Sequence, residues 1–332
     1  MSALLSPRRS IAGICFTLAA ATLAAACLAL MQGPLHIAPT QVWHSLWHAP
    51  DDSLESATVL LVRLPRVLLA LVIGAALAQA GASMQAIFRN PLADPGLAGV
   101  SSGAALGAAL VIVLAHRADA GDGTLVRWLL PAAAFAGGAG TAWLVSRLAQ
   151  VDGTTRVGTM LLAGLAINAI AGAGLGFLSH IASDTSLHTL SFWMFGSLAK
   201  SGWNEIALLA PLLLAATLLI PRDARALDAL LLGEVEAGHL GIDVERLKRR
   251  QLVLIVFCAS ASAALGGIIG FVGLLVPHLV RRWAGPDHRL LLPVSALGGA
   301  LLLLLADTAA RVLLAPAELP IGIFTALLGG PF

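Results

Sequence analysis

Few residues in this 332-residue chain are placed to do chemistry. Asp, Glu, Lys and Arg make up only 11% of it, and most gather in short polar stretches. No G-x-x-x-x-G-K-[ST] phosphate loop occurs, and no His/Asp/Glu group has metal or catalytic spacing. Cys15, Cys27 and Cys258 lie singly in apolar runs, with neither the CxxC spacing of a metal site nor a disulfide framework. His180 and His278 stand at the ends of apolar runs and read as interfacial histidines rather than ligands. Asp307 lies late in an apolar run with Arg311 on the next helical turn, the spacing of a local ion pair rather than a proton relay. No charge sits convincingly at the centre of an apolar run, which argues against a secondary transporter or proton pump.

A chain without an energy-converting site must borrow energy to move anything uphill. The stretch that could borrow it is Leu227–Arg250, the longest well-patterned polar island. It carries Asp228, Glu234, Glu236, Asp243 and Glu245 and closes on Arg246, Lys248, Arg249 and Arg250. Gly233, Gly238 and Gly241 break it into short helical pieces. Leu230, Leu231, Leu232, Val235 and Leu240 against Glu234, Glu236 and His239 suit docking in a partner's groove. By itself the island reads equally well as a solvated connector.

The elements around it are built for hydrocarbon. The chain is 58% hydrophobic with a mean hydropathy of +0.89, against roughly 25% charged residues in soluble domains. At about 20 apolar residues per span there is room for about ten helices. The 34 glycines favour close helix packing. Arg8 and Arg9 precede Ile11–Met31, which exceeds a signal-peptide core and reads as a first span. Trp43 and Trp47 suit a membrane interface. Pro91 ends a second span near Ile87, and Asp94-Pro95 starts a third as N-cap and first helical residue. Trp128–Leu148, Val157–His180, Ile206–Ile220 and Leu290–Ala309 are further spans, while Ile181–Asn204 is interfacial. Gln251–Val280, basic on both flanks, should cross twice as a hairpin of short arms turning at Gly266, Gly267, Gly270 and Gly273. A tenth span begins at Pro320.

This layout puts fourteen Lys and Arg on the side of the N-terminus and the island, against six on the far side: Arg63, Arg66, Arg117, Arg127, Lys200 and Arg311. The positive-inside rule makes the first side cytoplasmic. Arg117 and Arg127 read as headgroup contacts.

Four stretches resemble the FecCD-type permeases of bacterial ATP-binding cassette importers for iron chelates, haem and cobalamin. They are Arg63-Leu-Pro-Arg66; Gly81-Ala-Ser-Met-Gln-Ala-Ile-Phe-Arg-Asn-Pro-Leu-Ala-Asp-Pro-Gly96 through Ser101-Ser-Gly103; Gly270-Phe-Val-Gly-Leu-Leu-Val-Pro-His278 through Asp287-His-Arg289; and Asp307 through Arg311 into Glu318-Leu-Pro-Ile-Gly322 and Gly329-Gly-Pro331. They occur in family order and cover essentially the whole chain.

The resemblance implies an all-α, polytopic permease domain over residues 1–332, with about ten transmembrane helices in a type II ABC importer architecture. It implies a homodimer in the bacterial inner membrane, two cytoplasmic ATPase subunits carrying ATP and Mg, and a soluble periplasmic binding protein. The permease itself would hold no catalytic site, metal or cofactor, and would touch lipid but no nucleic acid. The same resemblance makes Leu230, Leu231, Leu232, Gly233, Glu234, Glu236, Ala237, Gly238, His239, Leu240 and Gly241 the coupling segment. The basic run through Arg250 then anchors the next helix at the membrane surface. Arg63, Arg66 and Arg311 would dock glutamates of the binding protein. A gate is implied over Val151–Thr159, including Thr154, Thr155, Gly158 and Thr159, with Asn168 as a lining residue that core packing explains equally well. Family members continue past Gly-Gly-Pro-Phe, whereas this sequence stops at Phe332, leaving Pro320–Phe332 short against about 30 Å of hydrocarbon. Haem is the first choice of substrate, from Asp94-Pro-Gly-Leu through Ser101-Ser-Gly-Ala-Ala-Leu106. Ferric siderophore and cobalamin stay open, and a secondary transporter or a non-transporting scaffold are the more distant readings.

Overall fold

The structure, a computed structural model, describes residues 11–48, 53–117, 123–151, 153–199, 202–315 and 317–331. Arg8, Arg9, Asp152, Lys200 and Phe332, all used in the sequence reading, lie outside the described residues. The chain is almost wholly helical: α1 (Ile11–Met31), α2 (Pro39–Trp47), α3 (Leu54–Ala57), α4 (Leu64–Ile87), α5 (Val100–Arg117), α6 (Thr124–Leu148) and α7 (Val157–His180). Then follow α8 (Asp184–Met194), α9 (Trp203–Leu219), α10 (Ala224–Leu232), α11 (Glu234–His239), α12 (Val244–Gly266), α13 (Val272–Ala284), α14 (His288–Val312) and α15 (Ile321–Gly329). Eight stretches among the described residues are long and apolar enough to cross a membrane. The other two of the ten expected spans are α13 and α15, of 13 and 9 residues. At 11 residues α8 is also too short to cross, as its mixed sequence led one to expect.

The expected span boundaries for α1 and α7 match the structure to the residue. Elsewhere local chemistry moves them. Pro65 at the start of α4 has no N–H, so a helix entering from Leu54 cannot run through it undisturbed. The chain inserts a π-helical turn over Thr58–Arg63, in which Leu64 N donates to Val59 O. The orphaned Leu60 carbonyl accepts the indole N–H of Trp203 at 2.9 Å. Asp94 does cap Pro95, with Oδ1 accepting from Gly96 N at 2.8 Å. What it caps is a 3-10 turn, Pro95–Ala98, and α5 begins only at Val100. Burial pushes the Asp94 carboxyl up from its ordinary range, and the Gly96 N–H opposes that.

The hairpin expected over Gln251–Val280 exists, but its first arm is not short. α12 reaches back to Val244 and absorbs the whole basic run, because Asp243 Oδ1 accepts from Arg246 N at 3.0 Å and caps the helix there. The turn uses Gly267 and Phe271, both at positive φ. Gly273, expected in that turn, instead lies in α13 and serves packing.

α4 is the central helix, buried along most of its length between α14, α12, α13 and α9. Between lipid-embedded helices no hydrophobic drive favours contact, so backbones must come close enough for dispersion to act. Gly74 and Gly299 let α4 meet α14: a Cβ on Gly74 would stand 2.2 Å from Gly299 O. A Cβ on Gly81 would stand 1.9 Å from Gly273 O in α13. Both obstacles are backbone, so no side-chain rotation relieves them. Gly81→Ala should therefore lower the thermal unfolding midpoint in detergent sharply, whereas Gly172→Ala on α7, where a Cβ meets open space, should leave it unchanged.

Candidate coupling surface and buried charge clusters

The island folds into two short helices bent at Gly233. Its φ of +134° lies where a Cβ is strained, and a Cβ there would also lie 1.9 Å from Glu236 Oε2. α11 stops in a Schellman arrangement: Gly241, at φ +83°, donates to Gly238 O and Ile242 N reaches Ala237 O. Leu227, Leu230 and Ala237 turn inward and are fully buried. Leu231, Leu232, Val235, Glu236, Gly238, His239, Leu240 and Gly241 face outward. Four of these are large apolar side chains on a polar-rimmed surface, the kind of patch that marks an interaction site.

Glu234 departs from the sequence expectation. It stays half-exposed but pairs with the buried ammonium of Lys248, at 2.6 Å. Lys248, expected in a basic run at the membrane surface, is 0% exposed. It falls on the buried stripe of α12 with Gln251, Leu252 and Ile255, at helical spacing. Its Nζ also donates to Thr155 O at 3.2 Å and lies 3.4 Å from Glu245 Oε1. Thr155 and Glu245 close the ring: Thr155 N donates to Glu245 Oε1 at 3.1 Å, and Thr155 Oγ1 to Oε2 at 3.0 Å. Sequence reasoning missed both Lys248 and Glu245. The available signal was Lys248 lying three, four and seven residues from Gln251, Leu252 and Ile255.

Thr154 and Thr155 form β2, which pairs with β1 (Gln150–Val151) as a hairpin with Gly153 at φ +76°. Gly158 is exposed and Thr159 half-buried on the first turn of α7. Asn168, half-way along the same helix, is committed within the chain. It pairs with Ser102 Oγ at 2.5 Å, and its Nδ2 lies 3.5 Å from Gly96 O.

A second tie holds the island to the body. Asp228 of α10 accepts from the backbone N–H of His288 at 2.9 Å and pairs with its ring at 2.6 Å. Asp287 caps the same helix start, and its bond from Arg289 holds the Asp287 carboxyl below the usual range. Arg250 and Gln251 both grip Asp223, just before α10.

At the other end of α14, about 37 Å away for 25 residues, lies the cluster expected to dock a binding protein. The structure brings Arg63, Arg66 and Arg311 together, but inside the fold at 3%, 3% and 4% exposure. Arg66 Nε donates to Asp307 Oδ1 at 2.8 Å and Nη1 to Glu318 at 2.9 Å. Arg311 lies 3.1 Å from Asp307, the ion pair that their i, i+4 spacing suggested. Its Nη2 and Nη1 donate to Ala29 O and Gln32 O. Arg63 donates to Leu30 O at 2.7 Å and to Leu35 O. α1 has no basic residue in its own last turn, so its orphan carbonyls are capped by two arginines from α14 and the start of α4. Direct capture of a partner's carboxylates needs a free guanidinium edge, and here those edges are used internally. In this conformation the three arginines are held by partners within the chain. Arg117 and Arg127 likewise have partners within the chain, Ile181 O and Glu205, instead of lipid alone.

Residues 21–332 match the FecCD transport family. The chain belongs to that family. It is 45% identical over 290 residues to the hemin transport system permease protein HmuU of Yersinia pestis, covering 87% of this chain and 86% of that one. It is 42% identical to the cobalamin import system permease protein BtuC of Halobacterium salinarum, over 84% and 73% of the two chains. A solved structure described as an inward-facing conformation of a metal-chelate type ABC transporter superposes with a TM-score of 0.83, at 32% identity and 96% coverage of each chain. The protein is thus a polytopic ABC importer permease.

Removing one partner of a buried ion pair leaves the other uncompensated and costs ~3–5 kcal/mol. Asp307→Ala should accordingly lower thermal stability of the detergent-solubilised permease with no binding protein present. Arg63→Glu with Arg66→Glu should do the same. An unchanged melting midpoint together with lost response to the binding protein would assign these arginines to docking rather than to the fold.

Proposed function

We propose that this FecCD permease imports haem across the bacterial inner membrane, with its N-terminus and island in the cytoplasm. The observation that carries the reading is the 45% identity, over 87% of the chain, to a permease named for hemin transport. The excess of Lys and Arg on the island side supports the orientation. In this reading two copies enclose the pathway, and a periplasmic binding protein delivers the substrate. Two cytoplasmic ATPase subunits bind ATP and Mg, and the permease holds no cofactor of its own. The outward face formed by Leu231, Leu232, Val235 and Leu240 docks the ATPase. The hairpin through Thr154 and Thr155, with Gly158 and Thr159 at the start of α7, is the cytoplasmic gate, and Asn168 lines the approach to it. Docking of the binding protein by Arg63, Arg66 and Arg311 would require their cluster to open and expose them.

Cobalamin is the second reading, favoured by the 42% identical relative named for cobalamin import. Proteoliposomes holding the permease and its ATPase, with binding protein outside, decide between them. Haemin uptake dependent on ATP is expected, with cobalamin and a ferric siderophore at background. Cobalamin uptake at a rate exceeding that of haemin would reverse the assignment.

A further inference from the structure

The ammonium of Lys248 is a point where three separate segments of the island end meet. Glu234 comes from α11, Thr155 from the hairpin between α6 and α7, and Glu245 from the first turn of α12. An ammonium has three donors, and here three oxygens surround it, at 2.6, 3.2 and 3.4 Å. Burial raises the strength of each contact, because little water competes for the same donors. Two carboxylates against one ammonium leave the group net negative, so the cation is what holds Glu234 and Glu245 together.

The surroundings make this a joint rather than a rigid weld. α11 is six residues long and is bracketed by Gly233 and Gly241, both at positive φ. It packs chiefly on α10 and α12. Hinged at both ends, it can shift as a unit. The hairpin turns at Gly153, and Thr155 presents both backbone and side chain to Glu245. α12 itself is well anchored, through Gln251 and Arg250 to Asp223 and by a largely buried length. A displacement of α11 therefore pulls on Glu234, and the first polar group it meets beyond Lys248 is the Thr155 carbonyl.

We propose that Lys248 is a positioning residue that couples movement of α11 to the Thr154–Thr155 hairpin. The inference rests on the reading above that α11 docks the ATPase and that the hairpin is part of the gate. It adds which side chain connects the two. Lys248 touches neither substrate nor nucleotide; it acts through Glu234 and Thr155.

Hydrogen-exchange mass spectrometry on the complete transporter, permease with its ATPase in nanodiscs, tests this without relying on transport. In the parent protein a non-hydrolysable ATP analogue should change exchange in peptides covering both 234–241 and 150–156. In Lys248→Met, which keeps the stem and removes the ammonium, the change should remain in 234–241 and vanish from 150–156. Lys248→Arg should restore part of it. ATP-driven uptake of the parent's substrate should fall about tenfold in Lys248→Met, within the range that coupling free energies span, while ATPase copurification and ATP hydrolysis persist. Glu234→Gln, which removes charge from the α11 side, provides a second variant if Lys248→Met does not fold, with a smaller effect in the same direction. A nucleotide response in 150–156 that survives in Lys248→Met and Glu234→Gln overturns the proposal, as does a loss of uptake matched by lost folded protein. Absence of any response at 234–241 in the parent, or ATPase copurification unaffected by Val235→Asp, would instead defeat the docking reading and take the joint with it.

Discussion

No water is available in hydrocarbon to bond an amide or solvate a charge, so every polar group at depth has to find its partner within the protein. That constraint organises this permease. The backbone meets it with helices, with a π-turn where Pro65 withholds a donor, and with a tryptophan indole for the carbonyl that the turn leaves over. The side chains meet it with closed charge clusters. Arg66 and Arg311 share Asp307, Glu318 completes Arg66, and Arg63 turns to carbonyls at the end of α1. Three guanidinium groups and the Asp307 carboxylate thus sit at an end of the fold with almost no exposure, and only Glu318 reaches the surface.

Both ends of the helical body carry such a cluster, and the two have different consequences. The arginine cluster ties α1, α4 and α14, all long helices, through several contacts each. Its loss would loosen the fold. The Lys248 cluster ties short pieces, α11 and the β1–β2 hairpin, to one long helix. Its geometry permits motion because glycines with positive φ flank α11. A transporter driven from outside its own chain needs both kinds of tie. The helices must hold together while the segment touching the partner shifts.

The close approaches along α4 set how that shift can travel. With Gly74 against Gly299 and Gly81 against Gly273, backbone lies on backbone. Such contacts do not deform gradually, so α4, α13 and α14 move together or not at all. α10 joins that group through Asp228 and His288. α11 and the hairpin stand outside it, joined to each other through Lys248.

Composition alone identified an all-α membrane chain, because hydrocarbon selects long apolar helices and little else. The island, the hairpin near Gly266, the short α8, the cap at Asp94 and the Asp307–Arg311 pair were also legible, each resting on local spacing. Whether an exposed-looking charge faces water or a buried partner was not. Arg63, Arg66 and Lys248 stand in basic stretches like those at many membrane surfaces, and their acceptors lie far off in sequence: Glu318 is 252 residues from Arg66 and Thr155 is 93 from Lys248. Sequence by itself determined where charge occurs and which runs enter lipid. Only the tertiary structure decided which charges are spent inside, because a buried ion needs a partner in space, and helix packing brings those partners together without regard to their order along the chain.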